Sequence, residues 1–281
     1  MIYWNNYFGH DVDIRGTRKK FDNTIYSFDI ETTSFLILNG KQIPACDYLK
    51  LTKQEQENCI FMSNMYIWMF SINDVVYYGR TWEEFKSFLL RLEWYGTSEL
   101  KIVYVHNLPY EFEFLRNCFR FKSVFGRKAR KPMKATLEDF NIEFRCSLIL
   151  TNSKLEDLPK NYDLKVEKLV GNLNYDIQRN SKSKLTEKEL KYCENDCLVI
   201  YEYIKKELEQ YENLKAIPLT NTGHVRKELK EKIMNNYTYR NNVRKSINTD
   251  GHVYNLLLDA FQGRLHAWQL VIYLYIIKRK Y

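Results

Sequence analysis

One eight-residue run constrains this chain more than any other. Thr24–Glu31 reads TIYSFDIE, a β-branched, aromatic and apolar segment suited to a buried strand, and it ends in Asp29 and Glu31. Side chains at i and i+2 of a strand leave on the same face, so both carboxylates project together. Two like charges on an apolar strand repel each other and lose hydration. The strand therefore either ends in solvent, where the acids cost little, or holds a divalent cation that removes the penalty.

Two further segments carry acids in ordered surroundings. In HNLPYEFEFL (His106–Leu115) a polar pair, His106 and Asn107, closes an apolar strand, and Pro109 suits the first turn of a helix. Glu111 falls near that helix's start, where a negative charge is favoured. Tyr110 and Phe114 offer flat apolar surfaces, equally suited to a core. In KYCENDC, Tyr192 and Asp196 stand four apart, which places phenol and carboxylate on one helical face. Leu190, Cys193, Cys197 and Ile200 mark the core side of that helix and draw Asp196 towards a sheet. Alone, each segment is also compatible with an ordinary cap or an exposed acid.

The elements between them form a consistent order. MYIWMFSI (Met65–Ile72) and VVYYGR (Val75–Arg80) flank Asn73-Asp74, a pair fit for a hairpin turn. Thr81 with Glu84, and Thr186 with Glu189, fit capping boxes that open two helices, the second running to about Tyr211. Lys101–Asn107 and Asn141–Leu150 read as strands. Strand, hairpin, helix, strand, helix, strand and closing helix make an α/β layer, a mixed ribonuclease-H-like sheet flanked by helices. In that fold, acids on the first strand, after a central strand and on a late helix converge. Hard oxygen ligands select Mg²⁺ or Mn²⁺, and two ions about 3.5–4 Å apart can drive phosphodiester cleavage.

Composition sets the class. With 281 residues, 45% hydrophobic, the chain is long enough for one or two folded domains. Its net charge of +8 suits a phosphate-bearing partner, and 22 Tyr and 16 Phe include enough rings to stack on unpaired bases as well as fill a core. Lys122, Arg127, Lys128 and Arg130 are candidates for a cationic groove or a solvated loop. Six cysteines show no CxxC pair, and no run is apolar and long enough for a signal peptide or a membrane span. A cytoplasmic protein with reduced thiols is expected, without a membrane partner.

FDIET, HNLPYEFEFL and YCENDC, in this order, resemble the three exonuclease motifs of family B DNA polymerases, most closely the protein-primed branch of bacteriophages and linear plasmids. The resemblance spans about residues 25–211. It implies a DnaQ-type 3′–5′ proofreading exonuclease acting on single-stranded DNA 3′ ends with two Mg²⁺ or Mn²⁺ ions. Asp29, Glu31 and Asp196 would be metal ligands, joined by Glu111 where the family usually has Asp. Tyr192 would orient the attacking water. His106, Asn107, Tyr110 and Phe114 would grip the frayed 3′ end. Lys168, in KLVGNLNY, matches the family's catalytic lysine, and Leu155 stands at its Ser-Leu DNA contact, where this chain departs with Lys154-Leu155.

The resemblance further divides the chain into a loose leader (1–20), the exonuclease domain (21–213), and the start of a polymerase domain with a helical extension (214–281). Ile217–Lys230 and Asp259–Gly263 resemble the junction between the two activities. Beyond it the palm aspartates, the Ser-Leu-Tyr-Pro segment and the Asp-Thr-Asp motif do not occur. One inserted base would convert Gly-Gly-Phe-Thr-His-Gly-Asn into the run Gly263–Gln269, so a frameshifted fragment is expected, with apolar surface around Val253–Leu258 left uncovered. The missing polymerase half or a terminal protein is the expected partner. Two other readings stay open: a stand-alone exonuclease of the RNase T or oligoribonuclease kind, which would usually have His where Tyr192 stands, and an inactive or split subunit that binds DNA or a polymerase.

Overall fold

A computed structural model describes residues 1–15, 21–166, 177–238 and 241. Among the described residues, ten strands form one sheet: β1 (Ile2–Tyr3), β2 (Ile14–Arg15), β3 (Phe21–Leu38), β4 (Lys41–Pro44), β5 (Ile60–Ile72), β6 (Val75–Gly79), β7 (Leu100–Val105), β8 (Phe121–Lys128), β9 (Lys131–Leu137) and β10 (Ile142–Cys146). The main path runs β1-β6-β5-β3-β7-β10-β9-β8, with β2 and β4 also paired to β3. β5 runs antiparallel to both its neighbours, β3 and β6, whereas β3, β7 and β10 run parallel. The fold is thus the mixed α/β sheet flanked by helices that the element order predicts.

The described residues also form seven α-helices: α1 (Lys53–Asn58), α2 (Trp82–Tyr95), α3 (Leu108–Cys118), α4 (Ser147–Thr151), α5 (Leu158–Tyr162), α6 (Glu187–Glu207) and α7 (Asn221–Asn235). Alternation along β3 sorts its side chains between two layers. Tyr26, Phe28 and Ile30 join Trp68 and Phe70 of β5 in an aromatic core with Phe85, Phe88, Leu89 and Leu92 of α2. On the other face, Ile25, Ile102 and Tyr104 pack on Ile200 and Ile204 of α6, and Ile67 and Met69 on Cys193 and Cys197. Both predicted capping boxes are present, on Thr81 and Thr186, and Asn73 turns the β5–β6 hairpin with φ of 52°.

Several elements differ from the sequence reading. Residues 1–15, within the stretch 1–20 expected as a loose leader, contact the sheet: β1 pairs with β6, Tyr7 is fully buried in the aromatic core, and His10 bridges the Tyr7 and Tyr26 hydroxyls. The strand expected over 141–150 stops at Cys146. There the Ser147 hydroxyl donates to the Val105 carbonyl and Thr151 Oγ1 to the Ser147 carbonyl, so the apolar run continues as α4. The less regular stretch before Cys59 holds an Asn39-Gly40 hairpin and a third capping box, on Thr52. The basic segment around Lys128 is the β8–β9 hairpin, with Lys122, Lys128 and Arg130 exposed.

Contacts group Met1–Gly223 into one unit and His224–Tyr281 into another. Leu214 and Ile217, beyond the boundary expected at 213, are buried in the first unit's core. In the second unit, α7 continues to Asn235. Lys168, Val253–Leu258 and the Asp259–Gly263 segment lie outside the described residues. Among the described residues, no helix is long and apolar enough to cross a membrane, and all six cysteines are free.

Candidate metal centre

The acids of β3 meet α6 because the helix is fastened to the strand one pleat away. The Ser27 hydroxyl donates to the Cys197 carbonyl at 3.0 Å and pairs with Ser71 Oγ at 2.7 Å. Ser27, Asp29 and Glu31 share this face. The helix residue preceding Cys197 is Asp196, which is thereby set over the two strand carboxylates. One ligand oxygen from each of Asp29, Glu31 and Asp196 falls within 4.8 Å of the others. Glu31 and Asp196 are buried and Asp29 is half-buried.

Glu111 enters from a third element. It sits in the first turn of α3, which begins directly after the carboxyl end of β7, and it is 3% exposed. Burial pushes its pKa well above the ordinary glutamate range and the charge of Asp29 pushes it further; a backbone hydrogen bond opposes them, and the charge of Glu31 adds a smaller upward push. Its Oε2 is buried without a hydrogen-bond partner among the described residues. Glu111 stands beside the three-acid group rather than within its 4.8 Å set. The same acids raise the buried thiol of Cys193, after burial itself.

A break in the sheet shapes this end of the strand. Glu31 pairs with Ile67 but Thr32 with Met65, so Tyr66 is an extra residue in β5. Consecutive Tyr66 and Ile67 consequently both pack on the α6 side. Such bulges bend a strand and re-aim its side chains. Beyond the bulge a pocket of about 500 Å³ opens beside Glu31, lined also by Thr32, Ser34, Pro44, Cys46, Tyr110 and Gln178.

The other predicted site residues divide into groups. Tyr110 borders the pocket, with its hydroxyl bonded to Thr32 Oγ1 and its ring edge-on to Phe114 at 5.4 Å. Asn107 adopts the left-handed conformation (φ 76°) at the start of α3, and its side chain is exposed and caps nothing. The plain capping role open to it in the sequence is therefore not its role here. His106 bonds Ser147 Oγ through Nδ1 at 3.1 Å. Tyr192 lies one turn before Asp196 but is buried among Tyr66, Ile67, Met69 and Val76. Leu155 packs against the apolar cluster of Ile25, Ile102 and Tyr104 and lines neither the acid group nor the pocket. Lys168 lies outside the described residues.

Sequence reading missed two arginines. Arg179 is 8% exposed, and Arg80 donates to the Tyr66 carbonyl at 2.6 Å, across the bulge. No periodicity marks either residue, since both act through loops.

All four acids offer hard oxygen donors, and the partnerless Glu111 Oε2 is an atom a cation would satisfy, so the residues fit a hard divalent ion. No protein-family model and no curated protein matches the chain. Among solved structures it is similar to phi29 DNA polymerase complexed with single-stranded DNA (18% identity, TM-score 0.47, covering 67% of this chain and 32% of that one). It is also similar to phi29 DNA polymerase complexed with primer-template DNA (16% identity, TM-score 0.48, covering 75% and 35%). The chain thus spans about a third of the length of the polymerase chains it matches.

Proposed function

We propose that the chain carries a divalent-metal-dependent 3′–5′ exonuclease of the family B, protein-primed DNA polymerase type. The observation carrying this reading is the meeting of Asp29, Glu31 and Asp196 from a strand and a helix, with Glu111 buried beside them. Like charges held together away from water are costly, and a cation site explains why they are held so.

In this reading Asp29, Glu31 and Asp196 hold Mg²⁺ or Mn²⁺, and Glu111 joins them once deprotonated. When bound, such ions supply Lewis-acid polarisation of a phosphodiester and neutralise the departing oxygen. The chain's own contribution is placement. Asn107, with its exposed amide, offers hydrogen bonds to a nucleotide. Tyr110 and Phe114 offer stacking surfaces for unpaired terminal bases. The pocket beside Glu31 is where that terminus would lie. Tyr192, one turn from Asp196, is the group for orienting a water, and the sequence resemblance gives Lys168 as the catalytic lysine.

The test is incubation of the purified chain with a 5′-labelled single-stranded DNA oligonucleotide and Mg²⁺, beside an Asp29→Ala, Glu31→Ala variant. Stepwise shortening from the 3′ end, absent in the variant and in EDTA, is the expected result. An uncut oligonucleotide with folded, metal-loaded protein would overturn the reading.

A further inference from the structure

The segment before α6 touches the site's architecture at three points through one residue. The Arg179 backbone N–H donates to Thr33 Oγ1 at 3.0 Å, two residues beyond Glu31 on the same face of β3. Its guanidinium grips Glu189 Oε1, through Nε at 3.0 Å and through Nη2 at 2.5 Å, and lies 5.8 Å from the centre of the Tyr66 ring at the bulge. Nη1 turns back to the Ile177 carbonyl at 3.2 Å.

Glu189 is itself fixed twice. Its Oε2 closes the capping box with the Thr186 backbone and hydroxyl, while Oε1 takes the arginine. The cap fixes where α6 starts, and the arginine fixes where that start stands against the sheet. Arg80 reinforces the same join by donating to the Asn180 and Ser183 carbonyls as well as to Tyr66. A largely buried ion pair is an expensive way to hold a helix end, since apolar packing serves as well or better for stability. Its advantage is a fixed geometry, because a planar guanidinium fork defines distance and angle together.

We propose that Arg179 is a positioning residue: through Glu189 and Thr33 it sets the placement of α6 on β3 and thereby the ion affinity of Asp29, Glu31 and Asp196. This rests on the metal-site reading above. Asp196 lies about two turns along α6 from Glu189, so a shift of the helix start moves its carboxylate relative to the strand pair. Outer supports of metal ligands commonly change affinity by roughly 10- to 100-fold when removed.

The test is Mn²⁺ binding to the full chain, read by electron paramagnetic resonance of the free ion, with circular dichroism reporting the fold. Wild type, Arg179→Ala, Arg179→Lys and the Asp29→Ala, Glu31→Ala variant are compared. Arg179→Ala is expected to weaken binding roughly tenfold or more with the fold retained, and Arg179→Lys, which keeps the charge but loses the fork, by a smaller factor. If Arg179→Ala does not fold, the affinity of Arg179→Lys decides. Unchanged affinity in a folded Arg179 variant, with wild type binding Mn²⁺ and the double variant not, overturns this inference and leaves the metal site standing. Failure of wild type to bind overturns both.

Discussion

β3 buries carboxylates near both ends of its central run, and the two neighbourhoods treat them in opposite ways. At the start, Asp22 is fully buried and fully served: Oδ1 accepts from the Thr24 N–H at 3.0 Å and Oδ2 from the Tyr26 hydroxyl at 2.5 Å. Tyr26 in turn meets His10, which meets Tyr7, and the buried Lys101 contributes a favourable charge to Asp22's surroundings. Seven residues on, Asp29 stands with Glu31, Asp196 and Glu111, so that acid faces acid. Asp22 is fully buried and Asp29 half-buried; the first set completes a polar network, and the second gathers acids from a strand and two helices. A buried carboxylate with donors around it is a structural part. Carboxylates brought together from separate elements suit a hard cation.

The largest effect should separate the two sets by activity. Asp29→Ala or Asp196→Ala is expected to reduce exonuclease turnover on the order of 10³-fold, the loss of about 4 kcal/mol of transition-state stabilisation. Metal-free thermal stability should hold or rise, as like-charge repulsion is relieved. Asp22→Ala should do the reverse, costing about 2 kcal/mol in urea unfolding by removing the acceptor of the Thr24 N–H and of the Tyr26 hydroxyl, with Mn²⁺ affinity kept in the folded protein. Equal effects of both substitutions on metal binding would erase the distinction.

Protonation offers a finer comparison. The raised pKa of Glu111 means that the native state holds a proton the unfolded chain has released. Metal-free stability therefore falls as pH rises from the ordinary glutamate range through the native value, by at most about 1.4 kcal/mol per pH unit. Glu111→Gln should abolish that component, and saturating Mg²⁺ should suppress it in wild type; both are read from melting temperature against pH. His10 has the opposite sign. Burial lowers its pKa, helped by Lys101 and opposed by Asp22 and Asp11. Its native imidazole resists protonation, so its contribution is complete above the ordinary histidine range and declines as pH falls through it. The expected loss is about 1 kcal/mol or less, absent in His10→Asn.

The sequence exposed the site's parts better than their supports. Asp29 and Glu31 were legible because period two on an apolar strand admits few explanations, and Thr81 and Thr186 because a capping box is local chemistry. β3 running on to Leu38 was not, since polar Thr32, Thr33 and Ser34 resemble a strand ending, although Asn39-Gly40 was a turn signal. The Tyr66 bulge was hidden because an extra residue becomes visible only against its partner strand. Ser147–Thr151 misled because a short apolar run serves strand or helix equally, and tertiary hydrogen bonds choose between them. Arg179 and Arg80 escaped because nothing in their neighbourhood announces which distant carbonyl or carboxylate they will reach.

The central claim is that the carboxylates from β3 and α6 form a single cation site. Anomalous diffraction from crystals grown with Mn²⁺ tests it most directly. Manganese density bounded by Asp29, Glu31 and Asp196, with the Glu111 carboxylate turned towards it, is the expected result. A map in which those carboxylates are ordered and no manganese lies among them would contradict it.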